Sequence, residues 1–234
     1  INIVKKSKFI KKILVASSEN KSDDAIKQLC INEKVKSYHF SLDNVYERFS
    51  KIIAKEKITS FVRINGDSPL IDPELIDKSI KIFKSTNCDL CSNVMFKTYP
   101  KGQSVEVILS KTFLKLNNLK LSNFDKEHIT NYYYSNPEQF KIVNFTSGFD
   151  FNNINLSVDT INDLRKIDLI YLKLKNKNRL TLFLHNDPLE MKGSKTIEDR
   201  RNLLSKLDKI YCVSEFIKKR FLMDIIDHFN KVVV

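Results

Sequence analysis

The sequence has no apolar run near the ~18 residues a helix needs to cross a bilayer. Nor does a basic-then-apolar leader open it. A membrane span and a secretory signal are therefore not expected, and a cytoplasmic setting is. Cysteine is scarce: Cys30, Cys88, Cys91 and Cys212. So few thiols exclude a disulfide framework, and in the cytosol they stay free. Cys88 and Cys91 form a single CxxC with neither a second pair nor a suitably placed His. It reads as a zinc half-site or as two small buried hydrophobes, and the second needs no further ligands. Internal repeats and low-complexity tracts are missing. So are a helix-turn-helix pattern and basic residues interleaved with exposed aromatics, which argues against a nucleic acid as partner.

The chain does carry charge. Forty Lys and Arg face 28 Asp and Glu, a net charge of +12 over 234 residues. The lysines are spread along the chain, as on solvated faces, and a phosphate-rich small substrate would also suit them. At 42% hydrophobic residues the chain can bury a core, and its length fits one large domain or one and a half smaller ones.

Hydrophobic patterning predicts alternating strands and helices. Strands are expected at 13–16, 59–64, 89–94, 105–109, 140–145 and 156–158. Helices are expected at 24–30, 44–55, 73–83, 111–118, 125–134 and 162–175, the last opened by Thr160 with Asp163 three residues on. A polar Lys/Asn stretch, 173–179, precedes further strands at 180–184, 210–213 and 232–234, with helices near 195–207 and 215–223. This alternation implies an α/β protein with a mostly parallel, mixed sheet.

Two segments carry chemistry. Residues 61–73 (FVRINGDSPLIDP) place Asp67 just past an apolar strand, after a turn at Gly66. Ligands of open α/β sheets lie outside the carboxyl ends of strands. A carboxylate there can hold Mg²⁺ together with phosphate oxygens, or it can merely close an Asx turn. Residues 155–164 (NLSVDTINDL) repeat the arrangement with Asp159. It could complete a metal site for nucleotidyl transfer or help cap the helix after it.

Six segments in order then resemble one family. Residues 63–77 (RINGDSPLIDPELID) resemble the R-x-x-GD-x-PLIDP signature of spore-coat-polysaccharide-type cytidylyltransferases, relatives of the acylneuraminate cytidylyltransferases. Residues 99–107 (YPKGQSVEV), 125–130 (DKEHIT) with the following 132–140, and 157–164 (SVDTINDL) resemble its later motifs. Residues 13–24 and 43–49 (DNVYERF) resemble its earlier ones. The resemblance covers about residues 3–175. It implies a Rossmann-like nucleotidyltransferase domain at 1–176 that transfers CMP from CTP to a sugar or sugar acid. It implies Mg²⁺ on Asp67 and Asp159, and a nucleotide site at Ala16, Ser17, Ser18, Arg63 and Ser68. It places Lys101, Glu106, Glu127 and His128 on the substrate side, and a homodimer by analogy. His128 also reads as an anchor for the Glu127 helix, and Tyr132, Tyr133 and Tyr134 read as a packing cluster.

The family's opening Arg-, Gly- and Lys-rich phosphate loop has no counterpart, so weak or no transferase activity is expected of these 234 residues. Residues 182–222, with the HNDPLEMKGSKT and VSEFIKKRF pieces, resemble the N-terminal domain of a family 4 glycosyltransferase. That implies a partial GT-B unit at 177–234 with His185, Asn186 and Asp187 toward an acceptor. A fused polysaccharide-pathway polypeptide cut at both ends is the expectation that joins these halves.

Overall fold

In the computed structural model the described residues are 1–175, 181–184, 187–191, 193–207, 209–225 and 232–233. They fall into two compact units: residues 1–146 with 152–157, and 147–151 with 158–234.

The N-terminal unit opens with a βαβ turn. Strand β1 (Leu14–Ser18), helix α1 (Asp24–Asn32) and strand β2 (Lys36–Phe40) follow in order, and β1 pairs with β2 in parallel. Strand β2 was not foreseen in the sequence. Its far end is tied to helix α2 (Val45–Glu56) by Glu56, which accepts hydrogen bonds from Lys36 Nζ at 2.6 Å, from Lys12 and from the Tyr38 hydroxyl. Lys12 first, then Lys36 and Tyr38, hold the Glu56 carboxyl at about 2, below its ordinary 4.5. A depressed carboxyl contributes stability above its unfolded value and loses it as pH falls. The Glu56→Gln variant should therefore show a flatter loss of urea midpoint between pH 4.5 and 2 than the parent does.

The second sheet has the order β3 (Ser60–Arg63), β5 (Glu106–Leu109), β4 (Leu90–Ser92), β6 (Ile142–Asn144). Three strands run one way, and β5 runs antiparallel between β3 and β4. Helix α2 starts at Asn44, whose side chain accepts from Glu47 N at 2.9 Å, and ends at Lys57 in the left-handed region. Helix α3 (Pro73–Thr86) starts at Asp72, which accepts from Glu74 N at 2.8 Å, with Pro73 in its first turn where no N–H is needed.

Successive strand residues face opposite ways, and the core follows. Leu90 and Ile108 pack with Tyr46 and Ile53 of α2, Phe113 of helix α4 (Ser110–Lys115) and Tyr133. Their neighbours Cys91 and Val107 pack on the other face with Leu75, Ile76 and Ile80 of α3. The sheet is thus buried on both sides, as its parallel strands require. All four cysteines are free and buried, with Cys88 and Cys91 in the α3-side core.

Two expectations change here. The helix foreseen at 125–134 is broken into α5 (Asn123–Glu127) and α6 (Asn131–Ser135). Helix α5 begins with a Ser122–Asp125 capping box, and Asn131 Nδ2 reaches back to Asp125 at 2.7 Å across the break. No strand forms at 156–158. Just before it Asn155 makes a single parallel bridge with Lys101.

The C-terminal unit begins with α7 (Ile161–Lys175), opened by the foreseen box. Asp163 N donates to Thr160 Oγ1 at 3.2 Å, and Thr160 N donates to Asp163 at 3.0 Å. Strands β7 (Thr181–Leu184), β8 (Lys209–Cys212) and β9 (Val232–Val233) pair in parallel in that order. Helices α8 (Ile197–Lys206) and α9 (Glu215–Leu222) lie between them in sequence, a βαβαβ unit. Among the described residues no helix is long and apolar enough to cross a membrane.

Candidate active site

Strand pairing lines up one row of polar residues across the second sheet. Arg63, Glu106, Ser92 and Asn144 are Cα partners in turn. They are the last residues of β3, β4 and β6 and the first of the antiparallel β5. The row therefore lies at the carboxyl edge of the sheet, where α/β folds bind ligands.

Glu106 is buried at 2% exposure, and both of its oxygens are taken. Arg63 Nη1 donates to Oε2 at 2.5 Å, and the Tyr134 hydroxyl donates to Oε1 at 2.6 Å. Ser92 Oγ lies 2.6 Å from the Tyr134 oxygen and accepts from Val94 N at 2.9 Å. Burial foremost, and then the Glu106 charge, push the Tyr134 phenol above its ordinary value, so it stays a donor. Glu106, expected on the substrate side, instead faces inward onto Arg63.

Past β3 the chain leaves the sheet through Gly66 and Asp67. Asp67 is exposed, with Oδ1 accepting from the buried Ser68 hydroxyl at 3.0 Å. Gln103 fastens the continuation of this loop. Its Nε2 donates to Leu70 O at 2.7 Å, and its Oε1 accepts from Asp72 N at 2.9 Å. Asn93 in turn holds both Gln103 O and Val105 N, each at 2.8 Å. Sequence reasoning passed over Gln103, Asn93, Ser92 and the Tyr134 hydroxyl. Gln103 lies in the 99–107 motif and Tyr134 in the 132–140 one, while Asn93 and Ser92 carried no signal.

Lys101 is exposed and pairs through its backbone with Ile154 and Leu156 at 2.9 and 2.8 Å. Gly102 sits at φ +90, and a Cβ there would lie 2.7 Å from Leu156 C and O. Gly102→Ala should cost about 1–3 kcal/mol from the backbone strain, read as a lowered urea midpoint. A Gly102→Ala chain as stable as its parent would contradict this close approach.

The other expected residues are placed as follows. Ser17 and Ser18 end β1, and their hydroxyls donate to Asp23 at 2.6 and 2.7 Å, as does Ser18 N at 2.8 Å. Those bonds hold the Asp23 carboxyl at about 2. Ala16 O accepts from Arg48 Nη1 at 3.4 Å. Glu127 and His128 are exposed, and the His128 ring lies 4.3 Å from Phe124. Tyr132 and Tyr133 pack against Phe140 as a cluster, while Tyr134 adds the polar contacts above. Asp67 belongs to the N-terminal unit and Asp159 to the C-terminal unit.

Among the described residues no three His, Cys, Asp or Glu side chains converge as a metal site. Asp67 still offers what magnesium prefers: an exposed hard-oxygen donor to be combined with phosphate oxygens. In the C-terminal unit, Asp187 is buried and takes Arg220 Nη2 at 2.6 Å and Leu189 N at 3.0 Å. His185 and Asn186 lie outside the described residues.

A sheet buried on both faces, with polar residues and an exposed carboxylate at its carboxyl edge, is a Rossmann-like α/β arrangement, and the solved structures identify it as a nucleotidyltransferase fold. A cytidylyltransferase from Leptospira borgpetersenii serovar Hardjo-bovis superposes with TM-score 0.68 at 24% identity, over 75% of this chain and 81% of that one. CMP:2-keto-3-deoxy-manno-octonic acid synthetase complexed with CTP superposes with TM-score 0.54 at 11% identity, over 74% and 86%. The cytidylyltransferase family model matches residues 1–214, and the chain belongs to that family. An uncharacterized protein of Methanocaldococcus jannaschii is 34% identical over 177 residues, 74% of this chain and 69% of its own. The spore coat polysaccharide biosynthesis protein SpsF of Bacillus subtilis is 26% identical over 180 residues, 74% of each.

Proposed function

We propose that the chain is the body of an enzyme that transfers CMP from CTP to a sugar or sugar acid for a surface polysaccharide, in the cytoplasm, with weak or no turnover from these 234 residues because the family's phosphate loop has no counterpart in them. Family membership and the likeness to SpsF support the pathway. The observation that carries the chemistry is the Arg63–Glu106–Ser92 row beside the exposed Asp67 at the carboxyl edge of the sheet.

A hydroxyl oxygen of the acceptor attacks the α-phosphorus of CTP. Its proton leaves to solvent as the bond to the β-phosphate breaks, and pyrophosphate departs. Asp67 and Asp159 are the carboxylates that would hold Mg²⁺, by their place in the two family motifs. Bound there, Mg²⁺ supplies charge neutralisation of the phosphates. Arg63 and Ser68 orient phosphate oxygens, and the Ala16, Ser17 and Ser18 segment meets the nucleotide. Lys101, Glu127 and His128 face the acceptor, and two copies form the working dimer. Glu106 acts through Arg63.

A second reading rests on the parallel β7–β8–β9 unit: a fragment of a nucleotide-sugar-dependent glycosyltransferase of GT-B type. Thermal melts at millimolar ligand separate the two. With Mg²⁺ present, CTP should raise the melting temperature, and UDP- and GDP-sugars should not. The reverse pattern would favour the glycosyltransferase.

A further inference from the structure

The Arg63 guanidinium is held at one nitrogen and open at the others. Nη1 is bound to Glu106, yet the side chain keeps 21% exposure. Neither Nε nor Nη2 is among the buried atoms lacking a partner. A guanidinium carries five N–H donors in a planar fork, so several still face solvent. Glu106 cannot itself touch a ligand, because it is buried and both its oxygens are filled.

The donors run one way. Tyr134 must give its proton to Glu106, so Ser92 Oγ–H points to the Tyr134 oxygen, and Val94 N–H fills the Ser92 lone pair. Each link has a partner, and a satisfied buried network is rigid. A free arginine loses rotamer freedom when it binds, whereas one already fixed loses less. The ion pair also cancels most of the Arg63 charge. What Arg63 offers is then a directed fork, and lysine cannot reproduce that.

We propose that Glu106, Tyr134 and Ser92 are positioning residues that hold Arg63 as a fixed fork for one substrate oxyanion, either a nucleotide phosphate or the carboxylate of a sugar acid. This rests on the cytidylyl-transfer reading and adds to it the device that sets the fork. It also accounts for a carboxylate, a phenol and a hydroxyl being gathered at the ligand-binding edge of a sheet.

The test is calorimetric titration of the chain with CTP, with inorganic pyrophosphate and with 2-keto-3-deoxy-manno-octonate, each with Mg²⁺. Tyr134→Phe removes one hydroxyl and keeps the ring. With the fold shown intact by its melt, Tyr134→Phe should bind about three- to tenfold more weakly, the loss of one hydrogen bond. Weakening for CTP and pyrophosphate assigns the fork to phosphate, and weakening for the sugar acid alone assigns it to the carboxylate. Arg63→Lys should lose affinity for the same ligand despite keeping its charge. Should Tyr134→Phe not fold, Ser92→Ala takes its place. Folded variants that bind all three probes as tightly as the parent overturn the positioning role and leave cytidylyl transfer standing. A parent chain that binds none of them overturns both.

Discussion

Arg63→Met is expected to lower the unfolding free energy by about 3–5 kcal/mol, the cost of leaving one member of a buried ion pair alone. The abandoned group is Glu106, which is 2% exposed. Tyr134 would remain its one neutral donor. Replacing both members, in Arg63→Met with Glu106→Leu, should recover most of the loss, because an apolar pair leaves no charge behind. Urea midpoints of parent, single and double variants at pH 7 check this. A single variant within about 1 kcal/mol of the parent would mean that water reaches Glu106 once Arg63 is gone.

Asp67→Asn should leave the fold intact and remove most of the magnesium-dependent affinity for CTP. Asp67 is exposed and, among the described residues, its side chain bonds the Ser68 hydroxyl, so the amide costs little stability. Changing an outer-shell partner of a metal typically costs about 10–100-fold in affinity, and removing a direct carboxylate should cost at least that. Binding of CTP without metal should change far less. Equal losses with and without Mg²⁺ would place Asp67 on the nucleotide and not on a metal.

Much of this was legible in the sequence, and the exceptions share a cause. Local signals placed α2, α3 and α7, because each starts at a side-chain cap and carries an apolar face. Strand β2 escaped. Its KSYHF run is short and largely polar, and partners outside it hold it: β1 beside it and Glu56 at the end of α2. The 156–158 segment looked like a strand from its apolar residues. It is instead drawn to Lys101 and Gly102 by backbone contacts that no local pattern reports. The motif around Asp67 was plain. The role of Glu106 was not, since its partners stand 43 and 28 residues away and buried polar pairs have no period. The motif suggested a substrate contact, whereas in the structure Glu106 is buried and bonded to Arg63 and Tyr134.

The most direct measurement is titration calorimetry of the parent chain with CTP, in Mg²⁺ and again in EDTA. The expected result is saturable binding in Mg²⁺ that is at least about tenfold weaker in EDTA and that Asp67→Asn reduces to the EDTA level. Binding of CTP that ignores both the metal and Asp67, or no binding at all at millimolar CTP, would contradict cytidylyl transfer at the carboxyl edge of this sheet.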